Sequence, residues 1–238
     1  MDERRRYARG KLVLFDLDQT LVDAIPLYDL ACRRVFSEHF GVECSAYDLD
    51  FAGKTLPAII WEGCERNGVP KKEYDAKVHL VIRDLIRHFD GYLSKPGAKV
   101  VVLPGAEKLL DALSSEGILL GILTGSVERS ANKLLYRAGL RRHFAFIVGG
   151  ERAMDKKEAA GAALSEAKKI LGHVPTRVVF VGDSPREARV AAAEGFGFIG
   201  AATGFHTKKM LKDAGAKAVF ADLSDTKKAL AAILSQLE

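Results

Sequence analysis

The stretch KLVLFDLDQTLVD, residues 11–23, opens with the apolar run Leu12 to Phe15 and then sets three carboxylates, Asp16, Asp18 and Asp23, within eight positions. A continuous apolar run of this kind reads as a strand buried on both faces, as in the middle of a parallel sheet. Open α/β sheets bind ligands beyond the carboxyl ends of their strands, which is where this strand delivers its acids. The stretch therefore predicts a parallel sheet with chemistry at one edge.

Working outward, similar β-prone runs recur at 117–123, 144–149, 177–182, 196–201 and 218–221. Before and between these later runs lie stretches with helical periodicity, such as EKLLDALSSEG (107–117), ERSANKLLYRAGL (128–140), KEAAGAALSEAKKILG (157–172) and REARVAAAEG (186–195). Strands alternating with helices predict βαβ units and a doubly wound, Rossmann-like α/β core. The interval after the first strand is different. Residues 25–41, 56–68 and 74–93 carry apolar residues at helical spacing, with no equally strong strand among them. We read residues 24–97 as an inserted all-helical domain, and residues 1–23 and 98–238 as the core it interrupts.

The composition is that of a folded globular chain: 48% hydrophobic and 28% charged residues leave no room for a disordered or low-complexity reading. Lysine and arginine exceed aspartate and glutamate by 36 to 31, an excess scattered in short clusters that suits a small anionic substrate better than a nucleic acid. Cys32, Cys44 and Cys64 form no CxxC pair, and an odd number argues against a disulfide framework. The first residues, MDERRRYARGK, lack the apolar core of a signal peptide, and no apolar run approaches the ~20 residues that span a bilayer. The expectation is a cytoplasmic protein with reduced thiols and no membrane partner. Its oligomeric state is left open.

Three of the apolar runs end in chemically capable groups: Asp16 and Asp18, then Thr124, Gly125 and Ser126, then Asp183 and Ser184. If those strands are parallel neighbours, the groups converge. Asp16, Asp18 and Asp183 would repel one another unless a cation neutralised them, and carboxylate oxygens suit Mg²⁺, which keeps open positions for phosphate oxygens. Thr124, Gly125 and Ser126 offer a hydroxyl and backbone N–H groups at a helix start, suited to a phosphate. A lysine from DKKEAAG, Lys156 or Lys157, offsets the remaining charge. These parts together point to phosphoryl transfer.

Here the residues carry a family resemblance. DLDQT resembles the DxDxT signature of the haloacid dehalogenase superfamily, LLGILTGS its second motif and VVFVGDSPREARVAAAEG its fourth, with the likeness running through nearly the whole chain. The helical insertion resembles the cap of phosphoglycolate phosphatase-like members. The resemblance implies a Mg²⁺-dependent phosphatase acting on a small phosphomonoester. Asp16 would be the nucleophile, and Asp18 would be the acid/base. Asp16, the Asp18 carbonyl and Asp183 would bind the metal, and Thr124 the transferred group. Thr20, Ser184 and Glu187 would support them. Three departures stand out. Gln19 occupies a place where many relatives have glycine, Glu187 one where a second aspartate is common, and the usual Lys-Pro is absent. Of the two lysines, Lys157 is favoured by its distance before Asp183.

FAGKT (51–55) looks like the end of a P-loop, but Asp48 occupies the place of its first glycine and no strong strand precedes it, so nucleotide binding there is rejected. In relatives with a helical cap a loop of this kind reaches the site, which makes Phe51, Lys54 and Thr55 candidate substrate contacts. The plainer alternative is an ordinary helix start. Asp23 reads as a cap or hinge for the first inserted helix, His206 as a bystander near the site and Trp61 as cap core. The rival readings are a phosphomutase, which returns the phosphoryl group to a sugar, and a non-catalytic phospholigand-binding protein. Dehalogenation is disfavoured because Asp18 is present.

Overall fold

The structure is a computed structural model that describes residue 7, residues 10–150 and residues 156–238, with Lys156 described in its backbone only. The strands are β1 (Lys11–Phe15), β2 (Val22–Asp23), β3 (Val101–Val102), β4 (Leu119–Leu123), β5 (Phe146–Val148), β6 (Arg177–Gly182), β7 (Gly197–Ala201) and β8 (Ala218–Phe220). Among the described residues six of them form one sheet in the order β5-β4-β1-β6-β7-β8, with every neighbouring pair parallel. The strand order reverses at β1. Its two neighbours, β4 and β6, set the crevice in which a ligand of this architecture sits.

Alternation along the strands builds a core on each face. Val13, Phe15, Ile122 and Val181 pack with helices α4 (Ala106–Ser115), α5 (Glu128–Arg137) and α9 (Thr226–Gln236). Leu12, Leu14, Phe180 and Phe198 pack with α6 (Lys156–Leu171), α7 (Pro185–Ala193) and α8 (Lys208–Asp213). The doubly wound parallel core expected from the apolar runs is the observed one.

Three helices, α1 (Ile25–Phe40), α2 (Leu56–Arg66) and α3 (Lys71–Leu93), form the helical cap between β2 and β3. Pro26 opens α1, where a missing N–H costs nothing, and Gly41 ends it at φ 68°, donating its N–H to Phe36 O and Ser37 O. Phe36, Ile60, Val81 and Phe89 are sequestered between the three helices. Full burial of each such side chain stabilises by about 1.5–3 kcal/mol. Trp61 is half-buried and meets Tyr74 edge-on at 5.2 Å. The chain enters and leaves the cap through an antiparallel pair, Val22 opposite Val102 and Asp23 opposite Val101. That two-stranded ribbon has no counterpart in the sequence reading, because two-residue strands carry no periodicity.

Cys32, Cys44 and Cys64 are all free and buried in the cap. Burial pushes their thiols up to about 12, about 11 and about 11, which keeps them protonated and poor nucleophiles at neutral pH. No helix among the described residues is long and apolar enough to cross a membrane.

One ion pair gives the cap an acid-sensitive seam. His39 Nε2 on α1 lies 3.0 Å from Asp84 Oδ2 on α3. The hydrogen bond from Arg83 holds the Asp84 carboxyl at about 2, against the opposing effect of burial and with help from His39 and Arg87. An unfolded aspartate titrates near ~3.9. The depressed value therefore contributes stability that is present above about pH 4 and lost as the pH falls through about 2. Thermal melts between those limits should show a steeper acid decline for the native protein than for Asp84→Asn.

Candidate active site

Asp16 follows β1 directly, and its N–H still donates to Val181 O at 2.9 Å, so the sheet fixes its backbone. Beyond it the chain turns tightly. The N–H groups of Leu21 and Val22 both donate to Leu17 O, at 3.0 and 3.2 Å, and Gln19 N donates to Val22 O at 2.8 Å. Gln19 adopts φ 62°, the left-handed region in which glycine is at ease. A side chain there is retained by its contacts: Gln19 Nε2 donates to Asp23 Oδ1 at 2.8 Å, and Thr203 Oγ1 donates to Gln19 O. Asp23 Oδ1 also accepts from Ile25 N at 3.0 Å, so Asp23 joins the aspartate loop to the start of α1. Thr20 is fully buried, but its hydroxyl has no partner among the described residues, and any bracing by it runs through packing and backbone.

The loop after β4 meets the same edge. Thr124 is buried, its N–H donates to Val148 O at 3.1 Å, and its Oγ1 accepts from Ser126 N at 3.1 Å. That acceptance leaves the Thr124 proton available to donate elsewhere. Ser126 Oγ donates to Asp18 Oδ2 at 2.8 Å and lies 2.9 Å from Tyr28 Oη. Because the one Ser126 proton goes to the carboxylate, the Tyr28 hydroxyl is the donor in the second bond. Burial, then the Asp18 charge, pushes the Tyr28 hydroxyl well above its ordinary value, which keeps it a neutral donor. Its ring stacks on Phe89 at 4.1 Å. Tyr28 thus reaches from the cap to the aspartate loop, a role the sequence reading did not assign. Tyr28→Phe keeps the stacking and loses one hydrogen bond, a change of about 0.5–1.5 kcal/mol. The expected result is a melting temperature lowered by a few degrees, with kcat also reduced because Ser126, which orients the Asp18 carboxyl, loses its partner.

The third group lies after β6. Asp183 is buried, and the Asp183 and Ser184 N–H groups donate to Glu187 Oε2 at 3.1 and 3.2 Å. Ser184 Oγ accepts from Glu187 N, so Ser184 and Glu187 form a capping box at the start of α7. The plainer reading of Glu187 as a first-turn helix acid thus has a definite form, in which it holds the turn that carries Asp183. Asp16, Asp183 and Glu187 each present a carboxylate oxygen within 4.8 Å of the others. Three buried carboxylates so close repel one another strongly, and an all-oxygen donor set suits a hard divalent cation such as Mg²⁺. The residues present fit that ion.

The cap closes over these groups through the segment 50–54. Arg186 on α7 donates to Asp50 Oδ2 at 2.7 Å and to Ala52 O at 2.9 Å. Burial pushes the Asp50 carboxyl up, but the Arg186 bond and the Arg186 and Lys54 charges outweigh it, for a net downward shift. Gly53 has φ +71°, and a Cβ there would stand 2.7 Å from Ser184 Oγ and 2.8 Å from Arg186 Cβ. At Gly125 a Cβ would overlap the Lys54 carbonyl oxygen, so the close approach of cap and core requires glycine. Phe51 meets Phe205 edge-on at 5.2 Å.

Asp16, Asp18, Thr124, Gly125, Ser126, Phe51 and Lys54 all line one cavity of about 660 Å³, part of it open to solvent. Thr55 does not line it, being the residue that precedes the first turn of α2. His206 is half-buried, and among the described residues its Nδ1 has no hydrogen-bond partner. Lys157 is exposed in the first turn of α6, while the Lys156 side chain lies outside the described residues. Arg186 and Tyr28 are the site residues that the sequence reading missed, and their positions in ordinary helical stretches carried no signal.

A family model described as haloacid dehalogenase-like hydrolase matches residues 13–201. A phosphoglycolate phosphatase from Rhodospirillum rubrum is 30% identical over 215 residues, covering 90% of this chain and 88% of its own. A protein of the same name from Cereibacter sphaeroides is 31% identical over 193 residues, covering 78% and 82%. Among solved structures, a haloacid dehalogenase-like hydrolase from Bacteroides fragilis has a TM-score of 0.74 at 22% identity, covering 90% of this chain and 98% of its own. The last likeness is one of fold.

Proposed function

The chain belongs to the haloacid dehalogenase-like hydrolase family, and from that premise we propose that it is a Mg²⁺-dependent phosphatase that hydrolyses a small phosphomonoester through an aspartyl-phosphate. The observation that carries the proposal is the convergence of Asp16, Asp18, Thr124 and Asp183 at the carboxyl ends of the adjacent parallel strands β4, β1 and β6.

In this reading a carboxylate oxygen of Asp16 attacks phosphorus as the bond to the leaving alcohol breaks, and Asp18 gives the departing oxygen its proton. Asp18 then takes a proton from the water that attacks the phosphorus. Inorganic phosphate leaves and Asp16 is restored. Ser126 fixes the orientation of the Asp18 carboxyl, and the Thr124 proton and the Gly125 N–H are donors to the phosphoryl oxygens. Asp16, Asp183 and the Asp18 carbonyl would hold Mg²⁺, which when bound offsets the charge of carboxylates and phosphoryl oxygens. Of the two motif lysines we now favour Lys156, since Lys157 is exposed. The cap contacts through Arg186 keep bulk water from the reacting centre.

Inorganic phosphate release from a panel of phosphomonoesters tests this directly. Turnover that depends on Mg²⁺ and stops with EDTA is expected. Absence of release from every ester, or release indifferent to EDTA, would overturn the reading.

A further inference from the structure

We infer that the leaving alcohol of the substrate is uncharged and largely apolar, an inference that rests on the phosphatase reading of the same site. The cavity has two chemically distinct ends. At one stand Asp16, Asp18 and Thr124. At the other the walls are Cys32, Leu49, Phe51, Ile59 and Leu85. Leu49 and Leu85 are buried and reach the cavity from the cap.

The polar side chains at the apolar end are already engaged. Lys54 is the one cation among the described lining residues, and its ammonium is bonded to Glu62 Oε2 and lies 3.9 Å from Asp50 Oδ2. Two carboxylates therefore face one ammonium. Burial pushes the Glu62 carboxyl up, but its bonds and charges from Lys54 and Arg66 bring it down on balance, so it stays an anion against Lys54 at neutral pH. Arg186, the next cation at the rim, is held by Asp50 and Ala52 O. The Tyr28 hydroxyl is committed to Ser126.

A second carboxylate on the substrate would thus be desolvated among carbon atoms, while Lys54, the lining cation, is already bonded to Glu62 and close to Asp50, an unfavourable transfer. A polyol would leave its hydroxyls without partners, which is also unfavourable. A neutral aryl or alkyl group meets these apolar walls without either cost. This separates the chain in specificity from relatives named for phosphoglycolate, whose alcohol carries a carboxylate.

The test compares kcat/KM for benzyl phosphate, 2-phosphoglycolate and a hexose 6-phosphate, all with Mg²⁺. Benzyl phosphate should exceed each of the others at least tenfold. In Glu62→Gln, which releases Lys54 from its nearer carboxylate, the ratio of benzyl phosphate to phosphoglycolate should fall at least fivefold. Equal or better use of phosphoglycolate or the hexose phosphate by the native protein would overturn the inference and leave the phosphatase reading intact. An unchanged ratio in Glu62→Gln would overturn the role given to the Lys54 pairing, and with it the inference. Failure to hydrolyse any of the three would overturn both.

Discussion

Asp16→Asn is expected to lower kcat for any phosphomonoester by about a thousandfold or more, since the amide is a poor nucleophile and no covalent intermediate can form. Its effect on stability should have the opposite sign. The Asp16 carboxylate lies within 4.8 Å of Asp183 and Glu187, and removing one of three like charges relieves repulsion in the protein without metal. Melting in EDTA should therefore occur at a higher temperature for the variant than for the native chain. Added Mg²⁺ should raise the melting temperature of the native chain more, because the variant has lost an ionised ligand. A combined loss of turnover and rise in apo stability distinguishes a functional carboxylate from a structural one.

Phe15→Ala carries the second large effect, on the fold. Phe15 is fully buried at the end of β1, meets Phe144 edge-on at 6.2 Å and packs beneath the residue proposed to be the nucleophile. Deleting a buried phenyl ring costs about 3–5 kcal/mol, because the transfer energy is lost and the cavity collapses only in part. Typical domain stabilities are ~5–15 kcal/mol, so chemical denaturation should show a large drop in midpoint. Phe180→Ala removes a similarly buried ring from the opposite face of the sheet and should cost a comparable amount. Both should also impair turnover at temperatures where the variants remain folded, because Phe15 precedes Asp16 and Phe180 lies in β6, whose Val181 O holds the Asp16 N–H and whose end carries Asp183.

Much of the architecture was legible because its signals are local. Runs such as LVLF and VVFV are continuous and apolar, as strands covered on both faces must be, and the six sheet strands lie within two residues of where those runs fall. The cap helices announced themselves by apolar residues at helical spacing. The β2–β3 ribbon did not, since its stability comes from pairing across the whole insertion. The candidate site divides in the same way. Asp16, Asp18, Thr124 and Asp183 sit at strand ends that a sequence displays, and all lie at one sheet edge in the fold.

Tyr28 and Arg186 were illegible because their partners are 98 and 136 positions away and exist only when the cap meets the core. Gln19 was legible as an oddity but not as a solution. Its left-handed backbone explains why glycine would be easy there, and its amide bond to Asp23 explains what a glutamine adds. Lys54 was legible in part. Its position in FAGKT made it a candidate substrate contact, and it does line the cavity, but its pairing with Glu62 carried no signal in the sequence.

The central claim, that Asp16 carries the phosphoryl group, has one direct measurement. During steady-state turnover with Mg²⁺ the protein is quenched in acid, the acyl phosphate is reduced with borohydride, and the peptide spanning residues 11–23 is examined by mass spectrometry. The account predicts conversion of Asp16 to homoserine in the native chain, and none when substrate is omitted. Phosphate release with Asp16 unmodified, or modification at another carboxylate in its place, would contradict it.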